Sequence, residues 1–183
     1  MDSHAGQLLI ASPTLLDPNF EQTVGLIVRH DEDGALGLVL NRATPVPLAQ
    51  AWSEVSDTAF AGEDLLLRGG PCEGPLMVLH AEQDHAQLQV ADGVYFSAET
   101  ERVTAIVEAN AQPALYFVGY AGWAPGQLED ELETGAWWLA PAESATVFLG
   151  PKASWGKLVS SVDPGSPVNR IDPRLMPDDP SLN

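Results

Sequence analysis

The sequence predicts an α+β fold, and three observations predict it. Short apolar runs with strand character recur along the whole chain, several of them joined by tight Gly-containing turns. Helical spacing interrupts them at only a few places, so complete β-α-β units are few and a doubly wound parallel sheet is disfavoured. With 183 residues, 45% of them hydrophobic, one domain can bury a core without covalent staples.

The elements follow in order. Gly6 to Ser12 reads as a first strand closed by Pro13, and Leu15 to Phe20 is turn chemistry built on Asp17, Pro18 and Asn19. Val24 to Arg29 and Ala35 to Leu40 are apolar strands, with the Asp-Gly end of His30 to Gly34 as their hairpin. After the Asn41–Pro47 stretch the spacing of Leu48, Trp52 and Val55 predicts a helix. Asp64 to Leu67 and Leu76 to Leu79 are short strands separated by an irregular Gly/Pro loop, Arg68 to Pro75. Gln87 to Val90 and Val94 to Phe96 form a hairpin around Asp92-Gly93. Ser97 is the expected N-cap of a helix that buries Val103, Ile106 and Val107 and stops by Pro113. Ala114 to Tyr120 is a strand, Pro125 opens a helix with Leu128 and Leu132 inward, and Gly135 ends it. Strands at Ala136 to Leu139 and Thr146 to Leu149 and a short helix near Ser154 to Val162 complete a single domain over residues 1–162, with nine or ten strands. Residues 163–183 form a Pro-rich tail that reads as extended.

Charge narrows the function. Acids number 26 and bases 8, a net charge of −18. Such a field repels phosphate backbones and anionic lipid, and no helix presents several of the scattered bases on one face. Direct nucleic-acid binding and a membrane partner are therefore disfavoured. No apolar run approaches the roughly 20 residues of a membrane span, the N-terminus lacks a basic leader, and the single cysteine fits a reducing cytoplasm.

The chemistry-bearing residues assemble no known motif. His30-Asp31-Glu32-Asp33 lacks EF-hand spacing, and His80 and His85 are too far apart in sequence to share a helical face as zinc ligands. Cys72 on its Gly-rich loop sits in a negative field that disfavours a thiolate. The glycines of Gly119 to Gly126 are followed by no Lys-Ser/Thr, and no GxGxxG or GxSxG occurs. No metal and no cofactor is called for. His80, at a strand end, is the sole candidate for proton transfer. Trp123 and Gln127 stand out, since a turn into an acidic helix needs neither of them.

Several blocks together resemble the YqgE/AlgH family of bacterial proteins over most of the chain. They run from Gly6-x-Leu8-Leu9-Ile10-Ala11-x-Pro13 and Asp17-Pro18-Asn19-Phe20 through Gly34 to Arg42, then Gly69-Gly70-Pro71 with Leu79-His80. The strongest is Gly119-Tyr120-Ala121-Gly122-Trp123-Ala124-Pro125-Gly126-Gln127-Leu128-Glu129-x-Glu131, with Gly135-Ala136-Trp137 behind it. Cys72 departs from the family, which usually has Val there. The resemblance implies an α+β fold with a mixed, branched or partly barrel-like sheet surrounded by helices. It also implies a transcriptional-regulator label that rests on no DNA-binding architecture.

The leading expectation is thus a non-enzymatic module that binds an unidentified protein or small molecule and acts on transcription indirectly. Its binding face would gather Asn41, Arg42, Gly69, Gly70, Pro71, His80, Trp123, Gln127 and Glu131 on one concave surface. Two alternatives stay open: an enzyme using His80 as general acid or base in a Gly-rich cleft, and a regulator that binds DNA directly against its own charge.

Overall fold

Nearly continuous apolar sequence makes the first three strands, because both faces of their sheet are covered. The computed structural model describes residues 3–163, so the Pro-rich tail beyond Asp163 lies outside the described residues. Strands β1 (Gln7–Ala11), β2 (Val24–Asp31) and β3 (Gly34–Val39) form an antiparallel meander. The β2–β3 hairpin closes at the Asp31–Gly34 pair. Gly34 has φ +118°, and a Cβ there would collide with the Trp123 carbonyl oxygen, so the close approach requires glycine.

Next come β4 (Ala43–Pro47), α1 (Leu48–Ser53), β5 (Leu65–Arg68) and β6 (Met77–His80). They lead to the β7–β8 hairpin (Leu88–Ala91, Val94–Ser97) and α2 (Thr100–Glu108). The remainder is β9 (Ala114–Val118), β10 (Ala121–Trp123), α3 (Gln127–Glu133), β11 (Trp137–Pro141), α4 (Ser144–Val147) and α5 (Trp155–Val162).

Two sheets result. The first has order β10-β3-β2-β1-β11 and is antiparallel throughout; the second has order β4-β5-β9-β6-β8-β7, with β5–β9 its one parallel pair. The chain passes from β9 of the second sheet through Gly119 and Tyr120 into β10 of the first, so the sheets branch from one segment and neither closes into a barrel. The fold is α+β, as the pattern of hairpins predicts.

Three apolar clusters hold the layers. Leu8, Ile10, Leu26, Val28 and Leu38 of the first sheet meet Leu67, Met77, Leu79, Phe96 and Phe117 of the second, with Val147, Leu158 and Val162 closing the gap. The outer face of the first sheet packs Leu9, Ile27, Trp123 and Trp137 against Leu128 and Phe20. The outer face of the second packs Val78 and Tyr116 against Leu48, Trp52, Val103 and Ile106. Strand residues alternate between these clusters, Leu8 and Ile10 inward, Leu9 and Ala11 outward, which is why the strands read as unbroken apolar runs.

Several local expectations change: the described residues hold eleven strands where nine or ten were expected, and α1 ends at Ser53, leaving Val55 exposed. Ser97 ends β8 instead of capping α2, whose N-cap is Glu99, and Gln87 Oε1 holds the turn into the helix by accepting from the Ala98 and Glu99 amides at 2.9 and 3.2 Å. The run from Thr146 to Leu149 contributes to a short helix, α4; a short apolar run alone does not separate a buried helix from a buried strand. The Asn41–Pro47 stretch contains β4, an edge strand, where Pro45 and Pro47 are tolerated. The strand from Ala114 breaks at Gly119 (φ +73°), which turns the chain into the added strand β10.

Candidate functional site

Side chains of the Gly119–Gly135 block lock onto each other. Glu131 Oε2 accepts from the indole N–H of Trp123 at 2.9 Å and of Trp137 at 2.8 Å, while its Oε1 accepts from Gln127 Nε2 at 2.9 Å. Gln127 Oε1 in turn accepts from the Ala124 amide at 3.0 Å. The Phe20 ring closes the set, stacked on Trp123 at 6.3 Å and edge-on to Trp137 at 5.4 Å. Trp123 is 7% exposed.

Asn41 and Arg42 hold the loop that delivers Phe20. Asn41 Oδ1 accepts from the Val24 amide and its Nδ2 donates to the Gln22 carbonyl, both at 2.9 Å. Arg42 donates to the carbonyls of Pro18 and Glu21 at 2.9 and 3.2 Å. An Asx turn, Asn19 N–H to Asp17 Oδ1 at 2.8 Å, bends that loop. Five of the nine expected residues, Asn41, Arg42, Trp123, Gln127 and Glu131, therefore connect through one loop and one aromatic cluster.

Gly69, Gly70 and Pro71 lie at the branch between sheets. The Val39 amide donates to the Gly69 carbonyl at 2.8 Å, and Cys72 and Tyr120 exchange two backbone bonds of 3.0 Å each. A Cβ on Gly69 would strike the Gly119 carbonyl oxygen. Gly70 and Pro71 also line a shallow concavity with Arg68, Cys72, Glu73 and Val118.

His80 stands apart from all of these. It is fully buried on β6, with Nε2 3.0 Å from Ser97 Oγ. Ser97 Oγ spends its only proton on the His85 carbonyl at 2.7 Å and accepts from the Gln87 amide at 3.2 Å. Nε2 must therefore be the donor in the His80–Ser97 bond, so the imidazole does not activate the hydroxyl. Among the described residues Nδ1 has no partner in full hydrogen-bond geometry, the nearest influence being the Glu82 backbone. Burial lowers the His80 pKa to about 4, with the charge of His85 acting in the same direction and a backbone group of Glu82 opposing.

His30, placed by the sequence in the hairpin connection, belongs to β2 and is buried. Its Nε2 meets Glu129 Oε1 at 2.9 Å, and its Nδ1 accepts from the His4 amide at 3.1 Å, which fixes the proton on Nε2. The Glu129 carboxyl is held below its ordinary pKa, first by its own backbone amide, with desolvation opposing and His30 adding to the lowering. Among the described residues no group of three or more His, Cys, Asp or Glu side chains is placed to hold a metal ion.

One open feature was not legible in the motifs. Where the sheets splay, an open groove is lined by Val28, Leu36, Met77, Leu88, Phe96 and Tyr120, with Arg29 and Gln87 at its edges. Pro75 and Ala98 belong to this groove and also to a second one, which runs on between Trp52, Val55 and Val103. Three donors face this course with capacity to spare. Among the described residues the Tyr120 hydroxyl has no hydrogen-bond partner, Gln87 uses only its oxygen, and Arg29 uses only Nε, 3.1 Å from Asp31.

The described domain is thus a helix-flanked pair of branched sheets, an α+β class whose motif residues converge on the branch and on one aromatic cluster. Its sequence matches the AlgH-like family model over residues 8–165, and the chain belongs to that family. A UPF0301 protein of Streptomyces coelicolor is 36% identical, covering 100% of this chain and 97% of that one. A UPF0301 protein of Caulobacter vibrioides is 38% identical over 78% of each. The solution structure of AlgH from Pseudomonas aeruginosa superposes with a TM-score of 0.71 at 34% identity, over 85% of this chain and 86% of that one. A crystal structure from Corynebacterium diphtheriae, protein DIP2367, gives 0.70 at 26% identity, over 88% and 87%.

Proposed function

We propose that the protein is a non-catalytic, cytoplasmic binding module that engages an extended segment of a protein partner along the inter-sheet groove, and that any effect on transcription is indirect. The observation that carries this reading is the groove's chemistry: apolar and aromatic walls, with the spare donors of Tyr120, Gln87 and Arg29 along one course. Extended peptide backbone, polyproline II above all, has no internal hydrogen bonds, so its carbonyls need outside donors. Aromatic-lined grooves with such donors are how proline-bearing segments are recognised. An open trough also suits a chain better than a small molecule, which needs most of its surface covered. The residues of the Glu131 cluster enter this reading as the frame that fixes β10 and, through Tyr120, the groove wall.

The enzymatic alternative finds little to build on, since His80 is buried against a hydroxyl whose proton is committed elsewhere. Titration of isotope-labelled protein with a capped peptide of alternating leucine and proline tests the proposal by NMR. Shifts confined to the groove, weakened several-fold by Tyr120→Phe and abolished by Leu88→Asp, are expected. Saturable binding mapped to any other face, or none at millimolar peptide, overturns it.

A further inference from the structure

His30 joins two parts of the molecule that no strand ladder joins. Its side chain, 1% exposed, lies with Nε2 2.9 Å from Glu129 Oε1 of α3 and with Nδ1 3.1 Å from the His4 amide that donates to it. The His4 ring stacks on the His30 ring at 5.3 Å, tilted by 8°, and Ser3 Oγ donates to the His30 carbonyl at 2.9 Å. Among the described residues, the hydrogen bonds and the ring contact that run from residues 3–5 to β2 thus all end on His30. Gly6 behaves differently. Its amide donates to the Ile27 carbonyl at 2.8 Å, and at φ +77° it lies so close to the Val90 carbonyl that a Cβ would collide there. The chain is pinned at Gly6, and residues 3–5 can swing about it.

The docked arrangement needs one protonation state. A neutral imidazole carries a single proton, and here it must sit on Nε2, because Nδ1 is the acceptor for the His4 amide. A second proton enters at Nδ1 and faces that amide, donor against donor. The same proton strengthens the bond to Glu129, which becomes charge-assisted on both sides. Around the ring stand Glu129 on α3, with Asp130 and Glu133 on the same helix, and His4 on the segment. Its own hairpin adds Arg29 and Asp31, paired at 3.1 Å, then Glu32 and Asp33, and β3 places the apolar Ala35 opposite. Acids outnumber bases in these surroundings and favour proton uptake, while a charged His4 ring would repel a charged His30.

We propose that His30 is a proton-operated latch: uptake of a proton at Nδ1 keeps the ring on Glu129 and releases residues 3–5 from the end of β2. The docked segment requires a bare Nδ1, so it is held at high pH and freed as the pH falls. Release strips the Ser3 hydroxyl from the His30 carbonyl and opens this end of the strand to solvent. The latch works whether or not the inter-sheet groove is occupied.

NMR relaxation and ring-nitrogen spectra of the isotope-labelled full-length chain test it from about pH 8 to about pH 5, the interval in which histidine changes charge. At the upper end the His30 proton resides on Nε2 alone, and the His4 and Ala5 amides are rigid, with order parameters of about 0.85. At the lower end both ring nitrogens are protonated and those order parameters drop below about 0.6, with β2 and α3 unchanged. His4→Ala keeps the amide, removes the neighbouring ring and retains the release. Glu129→Gln moves the midpoint to a proton concentration at least about threefold higher, because the carboxylate no longer favours the imidazolium. His30→Asn, whose Oδ1 can accept from the His4 amide but takes up no proton, makes the mobility of residues 3–5 independent of pH. Residues 3–5 that are mobile at every pH, or that stay rigid once His30 is doubly protonated, overturn the inference. So do a ring that stays neutral to the end of the titration and a midpoint unmoved by Glu129→Gln. Loss of the release in His4→Ala overturns it too, since the trigger would then be the His4 ring. Wild type and His4→Ala decide the matter by themselves if His30→Asn does not fold.

Discussion

The carboxylate of Glu131 receives three N–H groups, and two of them belong to the buried indoles of Trp123 and Trp137, which have no other acceptor among the described residues. Hydrogen bonds to a charged acceptor contribute about 1.5–3 kcal/mol each, and donors left without a partner add their desolvation. Glu131→Ala is therefore expected to lower unfolding stability by about 2–4 kcal/mol, read by denaturant titration on tryptophan fluorescence. Glu131→Gln falls between, since one of its two terminal atoms becomes a donor facing other donors. A loss below about 0.5 kcal/mol in the alanine variant, the size of an ordinary surface change, would contradict the anchoring. His80 gives the residue scale a pH test. Its folded pKa of about 4 lies below the unfolded value near 6.5, so the unfolded chain binds more protons between them. Stability present above pH 6.5 is lost as pH falls toward 4, by on the order of 3 kcal/mol. His80→Gln should flatten that part of the stability–pH curve; parallel curves for variant and wild type would show that His80 does not titrate in this window.

Elements were legible where one local rule decided them. The Asp-Gly hairpin, the stripe Val103, Ile106 and Val107, and the Gly135 stop all follow from short-range chemistry, and the structure has them. The remainder depends on residues far apart in sequence. β10 forms because Gly37, Leu36 and Ala35 pair with Ala121 to Trp123 across more than eighty residues. Ser97 left its cap because the His85 carbonyl and His80 claim its hydroxyl. The candidate site shows the same division. Trp123, Gln127 and Glu131 were conspicuous because a turn does not need them, yet Phe20 and Trp137 complete their cluster only through tertiary contact. The groove has no motif at all, because it is a gap between sheets. One element prediction follows from the Arg42 clamp. Arg42→Ala frees the carbonyls of Pro18 and Glu21, so amide exchange should accelerate at least tenfold over residues 17–23 and stay unchanged in β2 and β6. Uniform acceleration across the molecule would mean that Arg42 supports global stability rather than this loop.

At the scale of the whole molecule the charge decides which macromolecules can approach. Of the six bases in residues 3–163, Arg29 and Arg102 are paired with Asp31 and Glu99, and Arg42 is spent on backbone carbonyls. That leaves Arg68, Lys152 and Lys157, which are spread over the end of β5, the turn before α5 and α5 itself. Affinity for duplex DNA grows with the number of phosphates neutralised, and three scattered cations against the 22 acids of the same residues neutralise too few to offset the repulsion. Lowering salt normally strengthens such binding, but here it also lengthens the reach of the acids, to about 30 Å at 0.01 M. The full chain should therefore show no association with a mixed-sequence duplex at 0.01 M or 0.15 M salt by fluorescence anisotropy. Its thermal midpoint should meanwhile rise with added salt, as repulsion among the acids is screened. Duplex binding that strengthens as salt falls would place a basic face on a molecule whose described surface has none, and the indirect mode of action would have to be abandoned.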